Sequence, residues 1–263
     1  MRDAVNALAE ALNTEDPLKL WSFLVSCLGD VSQDGAVEIS GITLSALVER
    51  VGLQPQAMRV ALHRLKRDGW VESRRVGRVG YHRLSDNALR RTRAVAARIY
   101  GPAAAETEWH LVGLPPDAPD GLALLPDRVS AIAISRSFAL VSGPVDDVPE
   151  DWLVTAPGAR DLPAWVQDIV AKAACESGFA GLEAAVAAID ALPGPGALPD
   201  EQLDRFALRV LVLHGWRRLV LRSNPAAETA IGAGRAEMTC RARVHGLLER
   251  LGPVTAEWFQ VAS

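Results

Sequence analysis

One stretch of 33 residues constrains this chain more than any other: GLQPQAMRVALHRLKRDGWVESRRVGRVGYHRL, from Gly52 to Leu84. Pro55 suits the first position of a helix, although Gln54 before it is a poor capping residue. Met58, Ala61, Leu62 and Leu65 recur at helical spacing and predict a docking stripe. Gln56, Arg59, Val60, His63 and Arg67 form a second stripe on the opposite side. Gly69 ends the helix. WVESRRV and YHRL then read as two short strands around GRVG, whose glycines suit a tight hairpin. Upstream, TLSALVERVG predicts a helix with Leu44, Leu47, Val48 and Val51 on its core face. Thr43 or Ser45 would cap it and Gly52 would stop it. Helix, turn, helix, hairpin is the order of a winged helix-turn-helix, whose second helix can enter the major groove of DNA.

The charge agrees with that order. Residues 50–98 hold thirteen Lys/Arg against three acids, a net of +10, so the remainder of a chain with formal net charge −4 carries −14. A basic segment in an acidic chain predicts a polyanion met in one place. On the outward stripe, Gln56, Arg59 and His63 are long enough to hydrogen-bond base edges, and Val60 suits a thymine methyl. Arg64, Lys66 and Arg67 flank the helix, where phosphates would lie; such contacts give affinity and position without sequence choice. Arg74, Arg75 and Arg78 sit at or near the hairpin tip, in reach of a minor groove or the backbone. Arg83 lies further down its strand. The plain alternative is a solvated basic face on an ordinary helical domain.

Around this centre the chain reads as α+β. Asp16 and Pro17 suit a helix start, followed by Leu20, Phe23, Leu24, Cys27 and Leu28 on one face. EIS is a short strand candidate, and NALRRTRAVAARIYG one helix stopping at Gly101-Pro102. From Glu106 the texture changes. EWHLVGL, AIAISRSFALVSG and DWLVTAPG are strand candidates, PPDAPDG a loop, and LPAWVQDIVAKAAC a helix. GLEAAVAAIDALPG is a helix, PGPGALPD a rigid break, and EQLDRFALRVLVLHGWRRLVLRS the longest helix. Its apolar stripe runs through Leu203, Phe206, Val210, Leu213 or His214, and Leu221. MTCRARVHGLLERLG is the final helix. These segments suggest three parts: 1–101 with the DNA-binding unit and flanking helices, 102–175 as a small α+β domain, and 176–263 as a helical domain.

Catalytic motifs are missing from the sequence: there is no HExxH, no GxSxG, no P-loop and no strand-borne GxGxxG. A metal nuclease would need paired carboxylates near the first central strand. Glu106 and Glu108 precede that strand, while Asp117 and Asp120 sit in a proline-rich loop. The five histidines lack metal-ligand spacing. Cys27, Cys175 and Cys240 read as buried reduced thiols. No run of 18 apolar residues suggests a membrane span, and the acidic start does not read as a signal peptide, so the expectation is a cytoplasmic protein without cofactor or metal. His214, Trp216, Arg217 and Arg218 bring an imidazole, an indole and two guanidiniums together, a set that suits an acidic or aromatic effector. It suits equally a packed Trp216 with arginines paired to acids.

TLSALVERVG, AMRVALHRLKRDGWV, RRVGRVGYHRLS and the exit RIYGP together resemble the PaaX family of bacterial transcriptional repressors. EWHLVGL and LHGWRRLVLRSNP are similar to that family's central strand and C-terminal helix. The resemblance implies a winged helix on double-stranded operator DNA, a ferredoxin-like domain similar to Cas2 proteins, and a C-terminal helical domain, in a homodimer. It also implies release from DNA by a small-molecule effector, an aryl-acyl-CoA thioester in the best-known members. Two places depart from it: PPDAPDGLALLPDRVSA is a poor helix where the family carries one, and NPAAETAIGAGRAEMT replaces a proline-rich passage. The resulting expectation is a non-enzymatic regulator. The alternatives are a nucleic-acid-processing or RNA-binding protein using the Cas2-like domain, or an interaction protein whose basic helix meets an acidic partner.

Overall fold

The computed structural model describes residues 2–15, 17–102, 108–116, 121–126, 129–155, 162–190, 201–230 and 234–254. The fold is mixed α+β and forms two compact units that do not follow chain order. The first comprises 1–102, 181–218 and 241–263; the second comprises 103–180 and 219–240.

The first unit opens with α1 (Arg2–Glu15) and α2 (Leu20–Val31). α2 starts later than Asp16-Pro17 would suggest: Lys19 holds its N-cap position and makes no side-chain cap. Ten consecutive residues of α2, Ser22 to Val31, are buried, so it is a core helix and not a one-faced one. β1 (Ile39–Ser40) is the short EIS strand, and it leads directly into α3 (Gly41–Arg50). α3 is capped by Ser40, one turn earlier than expected: Ser40 Oγ accepts from the Thr43 amide at 3.0 Å. α4 (Pro55–Arg67), β2 (Val71–Val76) and β3 (Val79–Leu84) complete the helix, helix, hairpin sequence. The sheet is antiparallel in the order β1-β3-β2. α2 packs against α4 and β3.

What reads as one helix after the hairpin is two, α5 (Asp86–Ala94) and α6 (Ala96–Tyr100), parted at Val95. β-branched Val95 has φ −104° and ψ 0°, outside regular helical geometry. Ser85 caps α5 through the Ala88 amide and donates to the Gly69 carbonyl at 2.6 Å, so one side chain joins the end of α4 to the start of α5.

The second unit holds β4 (Trp109–Gly113), a 3-10 turn at Gly121–Leu124, β5 (Ser130–Ala133), β6 (Phe138–Ser142), a second 3-10 turn at Val145–Asp147, and β7 (Leu153–Thr155). The four strands form an antiparallel sheet in the order β5-β6-β4-β7. Among the described residues, only the Gly121–Leu124 turn is helical between β4 and β5; Asp117 and Asp120 lie outside them. One face of the sheet packs Ile132 and Leu140 against Val166 and Val170 of α7 (Ala164–Ala173). The other face packs Val112, Ala139 and Val141 around Trp152.

α8 (Glu176–Asp190), α9 (Gln202–Arg222) and α11 (Gly234–Leu251) supply residues to both units, and α10 (Pro225–Ala230) packs in the second. The helical α10 occupies part of the stretch that departs from the family text, while the proline-glycine break at 193–200 lies outside the described residues. α9 is not one-faced. Phe206, Ala207, Leu208 and every residue from Val210 to Trp216 are buried, whereas Leu203 and Leu221 are half-buried. A helix covered all round shows little apolar periodicity, so a single stripe understates its burial. Cys27 and Cys240 are buried thiols, but Cys175 is only part-buried and turns the chain between α7 and α8 with φ 56°.

Candidate nucleic-acid interface

α4 is held at both ends by glycine turns. Gly52, at φ 76°, ends α3, and the Leu53 amide bonds back to the Val48 carbonyl at 3.0 Å. Gly69, at φ 72°, ends α4 in the same way, with Trp70 bonding back to Leu65 at 2.8 Å. Met58, Leu62 and Leu65 are buried and Ala61 is half-buried, as the docking stripe requires. Gln54 makes no side-chain cap. Gln56, Arg59, Val60, His63, Arg64, Lys66 and Arg67 are all exposed. Val60 is 72% exposed, a large apolar side chain with nothing covering it. Arg64 and Arg67 both approach the Asp68 carboxylate, at 3.5 and 3.1 Å, on open surface where such pairs contribute little.

The hairpin register pairs Val71 with Leu84, Ser73 with His82 and Arg75 with Gly80, which puts these residues on one face. Val71 and Leu84 are buried, so this inner face is the one turned toward the core. Glu72, Arg74 and Val76 take the outer face with Arg83, Tyr81 and Val79. The outer arginines are occupied. Arg74 donates through Nε to both Glu38 carboxylate oxygens at 2.7 Å and lies 5.1 Å from the Tyr81 ring centre. Hydrogen bonding from Arg74 holds the Glu38 carboxyl below the usual range. Arg83 donates to Glu72 at 2.6 Å. Arg75 and Arg78 are exposed and have no hydrogen-bond or ion-pair partner among the described residues. Arg78 is in the turn itself, beside Gly77 at φ 59°.

Between α3, α4 and the inner face of the hairpin lies an open cleft of about 720 Å³. α4 lines it with Arg59, His63 and Lys66 above Met58 and Leu62; Gln56, Val60, Arg64 and Arg67 are outside it. α3 contributes Gly41, Ile42, Ser45, Ala46 and Glu49; the hairpin contributes Ser73, Gly80 and His82 from its inner face and Arg78 and Val79 from its tip. The exposed half of α4 is thus two surfaces, one walled and one open, where periodicity alone suggests one stripe. His82 Nδ1 is 2.9 Å from Ser73 Oγ, and its pKa is lowered by burial and by nearby Lys66.

His214, Trp216, Arg217 and Arg218 are brought to one stretch of α9, but two of them are sealed. His214 and Trp216 have no exposed surface. Trp216 donates through Nε1 to the Ile99 carbonyl at 2.8 Å, and His245 Nε2 is 3.0 Å from the same oxygen. Ser26 Oγ donates to the Ser22 carbonyl at 3.1 Å, so His214 is the donor in its 3.0 Å contact with Ser26. Burial pushes the His214 pKa down to about 3, aided by Arg218 and Arg217. Arg217 is half-buried and reaches Ser26 Oγ at 3.4 Å.

Sequence reasoning missed a buried ion cluster in the same unit. Arg209 binds Asp30 through Nε at 2.6 Å and Nη2 at 3.0 Å, and donates to the Leu248 and Gly252 carbonyls. Tyr100 donates to Asp30 at 3.2 Å, and burial, then the Asp30 charge, raises its pKa above the ordinary value. The signal was in the text: Tyr100 belongs to the exit RIYGP, and Arg209 to the helix that carries HGWRR.

Among the described residues no three His, Cys, Asp or Glu side chains are grouped to hold a metal, and no helix is long and apolar enough to cross a membrane. Comparison with known proteins bears on both units. The family model described as "PaaX-like protein" matches residues 19–88, and "PaaX-like, ferredoxin-like domain" matches residues 110–153. The β4–β7 sheet is therefore a ferredoxin-like domain. The "Transcriptional repressor PaaX" of Escherichia coli (strain K12) is 35% identical over 100 residues, covering 38% of this chain and 29% of that protein. The chain matches less than a third of that relative's length. A solved structure, "Uncharacterized protein Rv0674 from Mycobacterium tuberculosis", aligns at 16% identity over 87% of this chain and 95% of its own, with a TM-score of 0.42. Residues 19–88 and 110–153 thus match two PaaX-family models in chain order, and the similar repressor belongs to that same family.

Proposed function

We propose that this protein is a sequence-specific DNA-binding transcriptional repressor, with residues 39–84 acting as a winged helix-turn-helix. The observation that carries this reading is the exposed basic surface of α4 beside a hairpin with two unpartnered arginines, Arg75 and Arg78. Gln56, Arg59, Val60 and His63 would meet base edges in the major groove, and Arg64, Lys66 and Arg67 the phosphates. A homodimer would read a two-fold operator. A small-molecule effector, of the aryl-acyl-CoA class by the family resemblance, would release it. Since His214 and Trp216 are sealed in the core, such an effector would reach Arg217 and Arg218 before either of them. The similarity to a transcriptional repressor of Escherichia coli supports the same class.

The test is a mobility-shift titration of the full chain on DNA upstream of its own gene, against competitor DNA, at two salt concentrations. A specific complex is expected, weakening with salt. Arg59→Ala should lose about 1–3 kcal/mol of preference for the operator over competitor. Equal affinity for operator and competitor in the wild-type protein refutes the repressor reading.

A further inference from the structure

Resting on that reading, we propose that the side of the α4–hairpin cleft bounded by Lys66, Arg78 and His82 is a phosphate track for one DNA strand, beside the base-reading Arg59 and His63, and that the outer face of the hairpin faces away from DNA. Geometry requires a strand there. With α4 in a major groove and the hairpin at the neighbouring minor groove, the backbone that separates the two grooves passes between them.

The charges of the hairpin divide the same way. Its outer arginines, Arg74 and Arg83, are neutralised by Glu38 and Glu72. The cleft holds Lys66 from α4 and Arg78 from the hairpin turn, neither in an ion pair among the described residues. Glu49 is the only carboxylate among its lining residues. Shape points to the same occupant. His82 Nε2 lies beside two glycines: a Cβ on Gly41 would come to 3.4 Å from it, and one on Gly80 to 3.5 Å. With Ser73 on Nδ1, Nε2 is the nitrogen left to donate to a phosphate oxygen, and the missing side chains leave the approach open. Arg74 ties β2 to the segment before β1 through Glu38 and does not line the cleft.

Two double variants remove the same charge from opposite faces. Lys66→Gln with Arg78→Gln strips the cleft; Arg74→Gln with Arg83→Gln strips the outer face. Binding of the full chain to upstream duplex is followed by fluorescence anisotropy between about 50 and 200 mM salt, with each variant's melting temperature recorded. Each lost phosphate contact flattens the slope of log K against log salt by about 0.9. The cleft pair should flatten it by about two contacts, and the outer pair should keep the wild-type slope. Gly80→Ala, which changes no charge, should weaken binding by filling the space through which a phosphate oxygen reaches His82 Nε2. Equal flattening by both pairs, or a wild-type slope in the cleft pair, overturns the track while leaving DNA binding intact. Absence of binding by the wild-type protein overturns the repressor reading and the track together.

Discussion

His214 shows how far a residue's surroundings outweigh its type. In the sequence it sits beside Trp216 and two arginines and suits a ligand site. In the fold it is sealed, neutral, and bonded to Ser26 from a helix 188 positions away. Its folded pKa of about 3 lies far below the ordinary 6.5. The unfolded chain therefore binds the extra proton between those values, and stability falls as the pH drops through that window. The loss is about 1.4 kcal/mol per pH unit while only the unfolded form is protonated. His214→Gln cannot take up that proton. Denaturant unfolding at pH 7 and pH 5 should show a smaller acid loss in the variant than in wild type. Equal losses would mean that another group binds the proton. Asp30 makes the same point: its partner Arg209 is 179 positions away, and no local pattern links the two. Breaking that buried pair with Asp30→Ala should destabilise the protein by about 3–5 kcal/mol, read in the same experiment.

At the scale of elements, the sequence reading succeeded where the cause is local. Gly52 and Gly69 end their helices because only glycine adopts a left-handed turn cheaply, and both show it. The alternation that makes β2 and β3 a hairpin is also local. It failed where neighbours decide. α1 carries no distinctive start or stop signal, the cap of α3 passed to Ser40 once β1 led straight into the helix, and a single helix after the hairpin became α5 and α6. The RIYGP exit is explained only in three dimensions. The Ile99 carbonyl receives Trp216, Tyr100 reaches Asp30, and the Gly101 carbonyl accepts from Arg241 at 2.6 Å. A Cβ on Gly101 would run into the Ala97 carbonyl oxygen of the preceding turn. Gly101→Ala should cost about 1–3 kcal/mol through that backbone clash, seen as a lower melting temperature. An unchanged melting temperature would show that the end of α6 yields without cost.

At the scale of the whole molecule, the compact unit that holds α3, α4 and the hairpin is not contiguous in sequence. Residues 1–102 share a compact unit with 181–218 and 241–263. Buried Phe206, Leu213 and Trp216 come from those later segments, as do Arg209 on Asp30 and Asp204, 3.0 Å from Arg50 of α3. A fragment of residues 1–102 would expose the core helix α2, leave Asp30 without Arg209, and leave the Ile99 carbonyl without Trp216 and His245. Its thermal unfolding by circular dichroism should be broad and non-cooperative where the full chain's is sharp. A cooperative transition in the fragment would show that α1 to α6 carry a sufficient core of their own.

The amino-acid order was enough to place α4, its docking stripe, the hairpin and the basic segment, because helix periodicity, strand alternation and glycine turns act over a few residues. It also carried the family resemblance that both domain models match. It could not say which arginines are occupied. Glu38 lies 36 positions from Arg74, and only the β1-β3-β2 sheet brings them together. Nor could it show that the outward stripe of α4 is partly walled into a cleft, or that His214 and Trp216 are core. Those outcomes depend on contacts between distant segments, and burial in three dimensions sets whether the same side chain meets water, a carboxylate or a packed helix.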